Sequence, residues 1–239
     1  MRDWHDLTGN FWRWTPEELS PLLQPAGGPA RSVELKVTVP APAHAFTCAA
    51  FGVDLDRAPA RRVYYLDTPD LALDRAGVVV RLRRIGEGRD DSVIKLRSRM
   101  PAVPAGVKRG DVEVDALPGR LVCSTAIRRR LRGGKLFSRA QRELFTAHAP
   151  AGVTIDDLLR YGPTVAHRTK VLPAGLGRRL SIEHWSLPDG SQVLELSTRC
   201  PAGDALAVAA QTARVLRAYG VDGSGPQQTK TRAVLTACS

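Results

Sequence analysis

The sequence predicts an α+β fold that is mainly β: antiparallel strands, numerous enough to close into a barrel, with helices packed outside. Three observations predict it. Strand-like alternation begins at Ser32 and recurs along the rest of the chain. Run after run has one apolar face and one charged face. The charged faces are mostly sorted by strand into cationic and anionic sets, where a merely solvated face would mix them.

Residues 1–31 form an N-terminal extension carrying Trp4, Phe11, Trp12 and Trp14, and residues 32–239 form the domain. Within the extension, Thr15 followed by Pro16 and Glu18 reads as a capped helix start, and residues 25–30 as a loop. After the strand that opens at Ser32, alternation returns near 63–66, 78–85, 92–98, 111–116, 166–172, 180–187, 192–199 and 229–235. Turn signals separate several of these runs, among them Gly86-Glu87-Gly88 and Pro188-Asp189-Gly190. Helices are expected at 41–51, 124–132, 137–147, 154–160 and 203–219. The last is the clearest, with Leu206, Ala210, Ala213 and Leu216 grouped near one side and Gly220 as its stop. The basic stretch 118–150 reads as an exposed insertion.

Successive side chains on a strand point to opposite faces, so parity assigns them. Val33, Leu35 and Val37 oppose Glu34, Lys36 and Thr38. Val78, Val80 and Leu82 oppose Val79, Arg81 and Arg83. Ile94 and Leu96 oppose Lys95 and Arg97. Val112 and Val114 oppose Glu113 and Asp115, and the same holds around Glu183 and Glu195. One architecture that fits is an open antiparallel sheet with one face on a core and one in water. The other is a closed barrel, which removes the sheet edges, turns the apolar faces outward onto helices and leaves the charges lining a lumen.

Composition bounds the partners. A chain of 239 residues, 43% apolar and 25% charged, is globular in class and not disordered. Its formal charge of +11 favours polyanions: nucleic acid, acidic membrane or phosphorylated small molecules. No stretch approaches the roughly 20 apolar residues of a membrane span, and residues 1–10 have no apolar secretory core. Cys48, Cys123, Cys200 and Cys238 are scattered without zinc or redox spacing, so a reduced, cytoplasmic protein is expected.

The segment Tyr64-Tyr65-Leu66-Asp67-Thr68-Pro69-Asp70-Leu71-Ala72-Leu73, followed by Arg81-Leu82-Arg83, resembles the CYTH family of triphosphate tunnel metalloenzymes. The likeness continues in order through Glu34-Leu35-Lys36, Lys95, Glu113, Arg168 with Lys170, Glu183, Glu195 and Lys230, covering roughly residues 32–236. It implies a closed eight-stranded antiparallel tunnel that holds a triphosphate: inorganic tripolyphosphate, thiamine triphosphate, ATP or a short polyphosphate. Lys36, Arg81, Arg83, Lys95, Arg168, Lys170 and Lys230 would bind it, since guanidinium forks and ammonium point charges match phosphate oxygens. Glu34, Glu195 and Glu183 would hold Mg²⁺ or Mn²⁺, with Glu113, Glu183 and Lys36 as catalytic residues. Two departures thin the acidic set: Ser32 and Ser197 stand where the family has glutamates, and a neutral hydroxyl is a poor ligand for a hard cation.

The resemblance thus implies a metal-dependent hydrolase of triphosphates. A class IV-type adenylyl cyclase is the second enzyme reading, and a non-catalytic polyphosphate or nucleotide binding module the third, motivated by the two serines. Nucleic-acid binding is disfavoured because no aromatic-interleaved basic platform accompanies the charge.

Overall fold

The computed structural model describes residues 12, 32–55, 57–86, 89–98, 112–132, 134–223 and 225–238. The helix start expected at Thr15 lies outside them. In chain order the elements are β1 (Ser32–Val39), α1 (His44–Ala50), β2 (Ala60–Asp67), α2 (Ala72–Arg75), β3 (Val78–Arg84), β4 (Asp91–Ser98), β5 (Val112–Leu117), β6 (Arg120–Arg130), α3 (Arg139–His148), β7 (Leu159–Val171), β8 (Leu180–Ser186), β9 (Gln192–Pro201), α4 (Ala205–Ala218) and α5 (Lys230–Cys238).

The strands close into a barrel in the order β1-β5-β6-β4-β3-β2-β7-β8-β9, with β9 returning to β1. Among the described residues the barrel has nine strands, not the eight expected. Every neighbouring pair is antiparallel except β1 and β5, which run parallel over Val33↔Val114 to Leu35↔Ala116. The unexpected strand is β6, at the place read as a helix over 124–132. Its ladder with β4 runs unbroken from Asp91↔Arg130 to Ser98↔Cys123, so residues 120–130 are barrel wall and not insertion. The alternation was present, with Leu121, Cys123 and Ile127 packing outward against Val122, Ser124 and Arg128 facing in. The run Arg128-Arg129-Arg130 concealed it.

Two further expectations change. Residues 229–235, read as a strand, form most of α5, where the Thr229 hydroxyl accepts the Arg232 amide at 3.4 Å. A run this short, with apolar residues only at 233–235, has no period that separates strand from helix. Residues 154–160, read as a helix, are turns that lead into β7. The helices expected over 41–51, 137–147 and 203–219 correspond to α1, α3 and α4.

Packing follows the parity of the strands. The outward apolar faces of β1, β8 and β9 (Leu35, Val37, Ile182, Leu194, Leu196) bury against Val208, Ala209 and Leu216 of α4. Those of β3 and β4 (Val80, Leu82, Ile94) bury against Leu144 and Phe145 of α3. Ser138 and Gln141 form a capping box at the start of α3, and the Gln141 amide also donates to the carbonyls of Ser92 and Ile127 across the β4/β6 seam. The inner face carries a smaller apolar set, Val63, Tyr65, Val79, Trp185 and Val193, and this is covered by Ala233, Val234 and Leu235 of α5. Helix α5 therefore packs on lumen-facing side chains and brings its first residue, Lys230, to the charged interior.

Trp12 is 1% exposed, and its indole N–H is shared between the carbonyls of Lys36 (3.1 Å) and Ala116 (2.9 Å). It spans the short parallel seam between β1 and β5. Trp12→Phe keeps most of the packing but removes the donor, so it is expected to cost about 1 kcal/mol, measured by urea unfolding. An unchanged midpoint would show that the seam needs no such staple.

Candidate anion site in the barrel lumen

The Asp67-Thr68-Pro69-Asp70 segment that carries the resemblance proves to be a turn-builder. Asp67 is 2% exposed, and its carboxylate accepts the amides of Thr68 (2.7 Å), Leu73 (2.9 Å) and Asp74 (3.0 Å), capping α2. The Thr68 hydroxyl accepts the Ala72 amide at 2.8 Å. The chain then enters β3 through Gly77, at φ +74°, where a Cβ would meet the Arg97 carbonyl oxygen at 2.9 Å. This turn sets the register that points Arg81 and Arg83 inward.

The lumen has two adjoining compartments, of about 170 and 90 Å³. Lys36, Tyr65, Arg81, Lys95, Arg128 and Lys230 line both. Around the larger one stand nine cationic side chains (the five lysines and arginines common to both, with Arg61, Arg83, Arg168 and Arg199) against three carboxylates, Glu34, Glu113 and Glu183. Asp115, Glu195, Arg97 and Thr231 face the smaller one. The closed wall excludes bulk water from much of this charge, so the field inside is weakly screened.

Ion pairs account for the carboxylates. Lys36 lies 3.2 Å from Asp115 and 3.7 Å from Glu34. Lys95 lies 3.0 Å from Glu113, which also takes Arg128 at 3.0 Å. Arg199 meets Glu34 at 3.0 Å. Arg83 pairs with Asp91, its Nε donating at 3.0 Å. Lys230 sits between Glu183 (2.5 Å) and Glu195 (2.6 Å). Arg168 donates to the Ser181 hydroxyl at 3.0 Å, and its Nε lies 3.1 Å from Glu183 but off line for a hydrogen bond.

The cations are not all accounted for. Among the described residues, Arg61 forms no ion pair, and its buried Nε has no acceptor. Arg81 has Asp91 only at 3.7 Å, and both its Nε and Nη2 are buried without an acceptor. Burial pushes both guanidinium groups down, and Arg83 nearby adds to this in each case. Buried donors without acceptors are costly, and these face a cavity.

Most of the binding residues expected from the sequence come together here: Lys36, Arg81, Arg83, Lys95, Arg168 and Lys230 all line the larger compartment. Lys170 does not. It is exposed near the end of β7 and lines neither compartment. The expected acidic set is divided. Glu34 stands opposite Arg199 and Glu195 opposite Thr38, four rungs apart on the β1/β9 ladder, or roughly 13 Å. The cross-strand neighbour of Glu195 is Glu183. Ser197 faces Lys36 across the same ladder, and Ser32 lies at its end opposite Pro201. Four participants were not singled out from the sequence as binding residues: Arg61, Arg128, Arg199 and Asp91. Arg61 and Arg199 were findable, since each continues the inward parity of its strand by two residues.

The resemblance implies a divalent cation, and the lumenal carboxylates are the groups that would hold it. Among the described residues, no three His, Cys, Asp or Glu side chains converge in a way that could hold a metal. The nearest approach is the Glu183/Glu195 pair, and an ammonium group is already between them. As they stand, these residues do not fit a divalent ion.

The pairing makes stability depend on acid. Burial pushes Asp115 and Glu113 up, but Lys36 and Lys95 beside Asp115, and Lys95 and Arg128 beside Glu113, outweigh it and hold both at about 2. Glu183 is also held well below the usual carboxylate range, because Lys230 and Arg168 outweigh its burial. Folded values below the unfolded ones, about 4, mean a contribution that is complete above pH 4–5 and lost as pH falls through about 2. Lys36 and Lys230 are raised despite burial, by Asp115 and Glu195 for Lys36 and by Glu183 and Glu195 for Lys230. Their contribution is therefore complete below the unfolded value, about 10.4, and lost only above it. Urea unfolding across pH is expected to give a steep loss between about pH 4 and 2. A loss already complete at pH 5 would contradict the pairing.

No family model matches the sequence, and no curated protein does. Solved structures do. A Bacillus halodurans protein described as a candidate adenylate cyclase aligns over 85% of this chain and 96% of its own, at TM-score 0.50 and 16% identity. A candidate adenylyl cyclase from Hippeastrum, described as revealing a dominant triphosphatase activity, aligns over 86% of this chain and 95% of its own, at TM-score 0.56 and 17% identity. The barrel shares its fold with these two solved structures. At these identities the likeness to the two proteins is one of fold. Among the described residues, no helix is long and apolar enough to cross a membrane.

Proposed function

We propose that the tunnel captures a triphosphate-bearing molecule, with the phosphate chain in the larger compartment. The observation that carries this reading is that two guanidinium groups, Arg61 and Arg81, keep unsatisfied buried donors in a cavity where nine cations face three carboxylates. A linear polyanion supplies several acceptors in a row, and oxygen atoms at that site would relieve both the missing hydrogen bonds and the mutual repulsion of the cations. Arg83, Lys95 and Arg168 would add contacts from adjoining strands.

Isothermal titration of the full chain with tripolyphosphate, pyrophosphate and orthophosphate tests it. Tripolyphosphate is expected to bind most tightly and orthophosphate most weakly, with affinity falling as salt rises. Equal weak binding of all three would defeat the reading.

Hydrolysis of the bound chain is the second reading, supported by the triphosphatase activity named for the Hippeastrum protein. In that reading Glu113, Glu183 and Lys36 are the residues nearest the reaction, and divalent-metal dependence comes from the family resemblance. Cyclisation of ATP is the corresponding reading from the cyclase names of both structures. Incubation with tripolyphosphate, thiamine triphosphate and ATP, with and without Mg²⁺ or Mn²⁺, separates them by product: orthophosphate, cyclic AMP with pyrophosphate, or neither.

A further inference from the structure

Lys230 is the first residue of α5, and its ammonium group is enclosed by Glu183 at 2.5 Å, Glu195 at 2.6 Å and the Trp185 ring, whose centroid is 5.1 Å away. Glu183 and Glu195 are directly opposed on adjacent strands. Two carboxylates so placed repel unless a cation joins them. An ammonium group has three donors, two of which are used by these carboxylates, and Lys230 lines both compartments of the lumen. The remaining donor is thus available to a ligand.

We infer that Lys230 is a built-in counter-cation that takes the bridging position between carboxylate pair and anion, so that triphosphate binding by this barrel requires no divalent metal. The inference rests on the lumen being the triphosphate site. Three further features agree with it. Glu34 is taken by Lys36 and Arg199, and Glu113 by Lys95 and Arg128, so the other lumenal glutamates also have internal cations. Serines at positions 32 and 197 leave fewer carboxylates than the resemblance calls for. Finally, α5 is anchored through Ala233, Val234 and Leu235 in the inner apolar cluster, which holds the lysine in place.

The consequence is a reversal in the variant. Lys230→Met keeps the length of the side chain but removes its charge, leaving Glu183 and Glu195 as an opposed carboxylate pair open to Mg²⁺. Tripolyphosphate binding is measured by calorimetry on the full chain, in EDTA and in millimolar Mg²⁺. The natural protein is expected to bind within about threefold under the two conditions. The variant is expected to lose tenfold or more in EDTA and to recover most of that loss in Mg²⁺. Natural protein that binds tenfold or more weakly in EDTA overturns the inference, and so does a folded variant whose binding ignores Mg²⁺. Should the variant fail to fold, the comparison on the natural protein decides. Absence of tripolyphosphate binding under both conditions would instead defeat the assignment of the lumen as a triphosphate site.

Discussion

Arg81→Met is expected to weaken tripolyphosphate binding roughly 10- to 150-fold, the equivalent of about 1.5–3 kcal/mol for one charge-assisted hydrogen bond, while leaving the free protein as stable as before or more so. The pairing of these two effects is the point. Arg81 is half-buried on β3, with two buried nitrogen atoms lacking acceptors and with Asp91 no closer than 3.7 Å, so its charge is poorly compensated without a ligand. Replacing such a group by an apolar one of similar length removes a desolvation cost. Residues held for binding commonly carry this kind of stability cost. Calorimetry and thermal melting on the same preparation check both halves. A variant that binds normally, or one that melts several degrees lower, would make Arg81 a structural residue. Arg81→Lys should fall between, because an ammonium group cannot reproduce the planar fork.

Lys36→Met is expected to be the most destabilising single change in the lumen, at about 3–5 kcal/mol. Lys36 on β1 lies between Asp115 at 3.2 Å and Glu34 at 3.7 Å, and among the described residues no other cation approaches Asp115 closer than Lys95 at 3.9 Å. Its removal strands a half-buried carboxylate whose acidity depends first on that lysine once burial is set aside. For a domain of this size the melting temperature should fall by about 6–20 °C. The double variant Lys36→Met with Asp115→Asn should regain most of the loss, since removing both charges leaves no uncompensated one. A double-mutant cycle measures the coupling. Additive effects would show that the two groups do not interact appreciably.

Much of this site was legible because a strand has a period of two. The parity of Glu34 and Lys36, of Arg81 and Arg83, of Lys95 and of Arg168 follows from local sequence, and the closed structure turns all of them to the same interior. Where legibility failed, local pattern was ambiguous or hidden. Arg128 begins a triplet of arginines that hides the alternation of β6, and the nine-strand count follows from recovering that strand. Residues 229–235 are a short run with only Ala233, Val234 and Leu235 apolar, and their helical form is decided by the apolar inner surface that α5 covers. Lys170 shares the parity of Arg168 yet lies beyond the lumen, because parity tells which face a residue occupies but not how far along the barrel.

From the sequence alone, then, came the mainly-β class, the apolar-out and charged-in sorting of the strands, and the cationic character of the interior. All of these rest on side-chain alternation, which is a property of neighbouring residues. Only the tertiary structure decided which charges neutralise one another. Partnership is set by strand order and register around a closed barrel, and these join residues as distant as Glu34 and Arg199 or Lys230 and Glu183. That closure separates Glu34 from Glu195, sets Glu195 beside Glu183 with a lysine between them, and leaves Arg61 and Arg81 with donors that no side chain of the described protein satisfies.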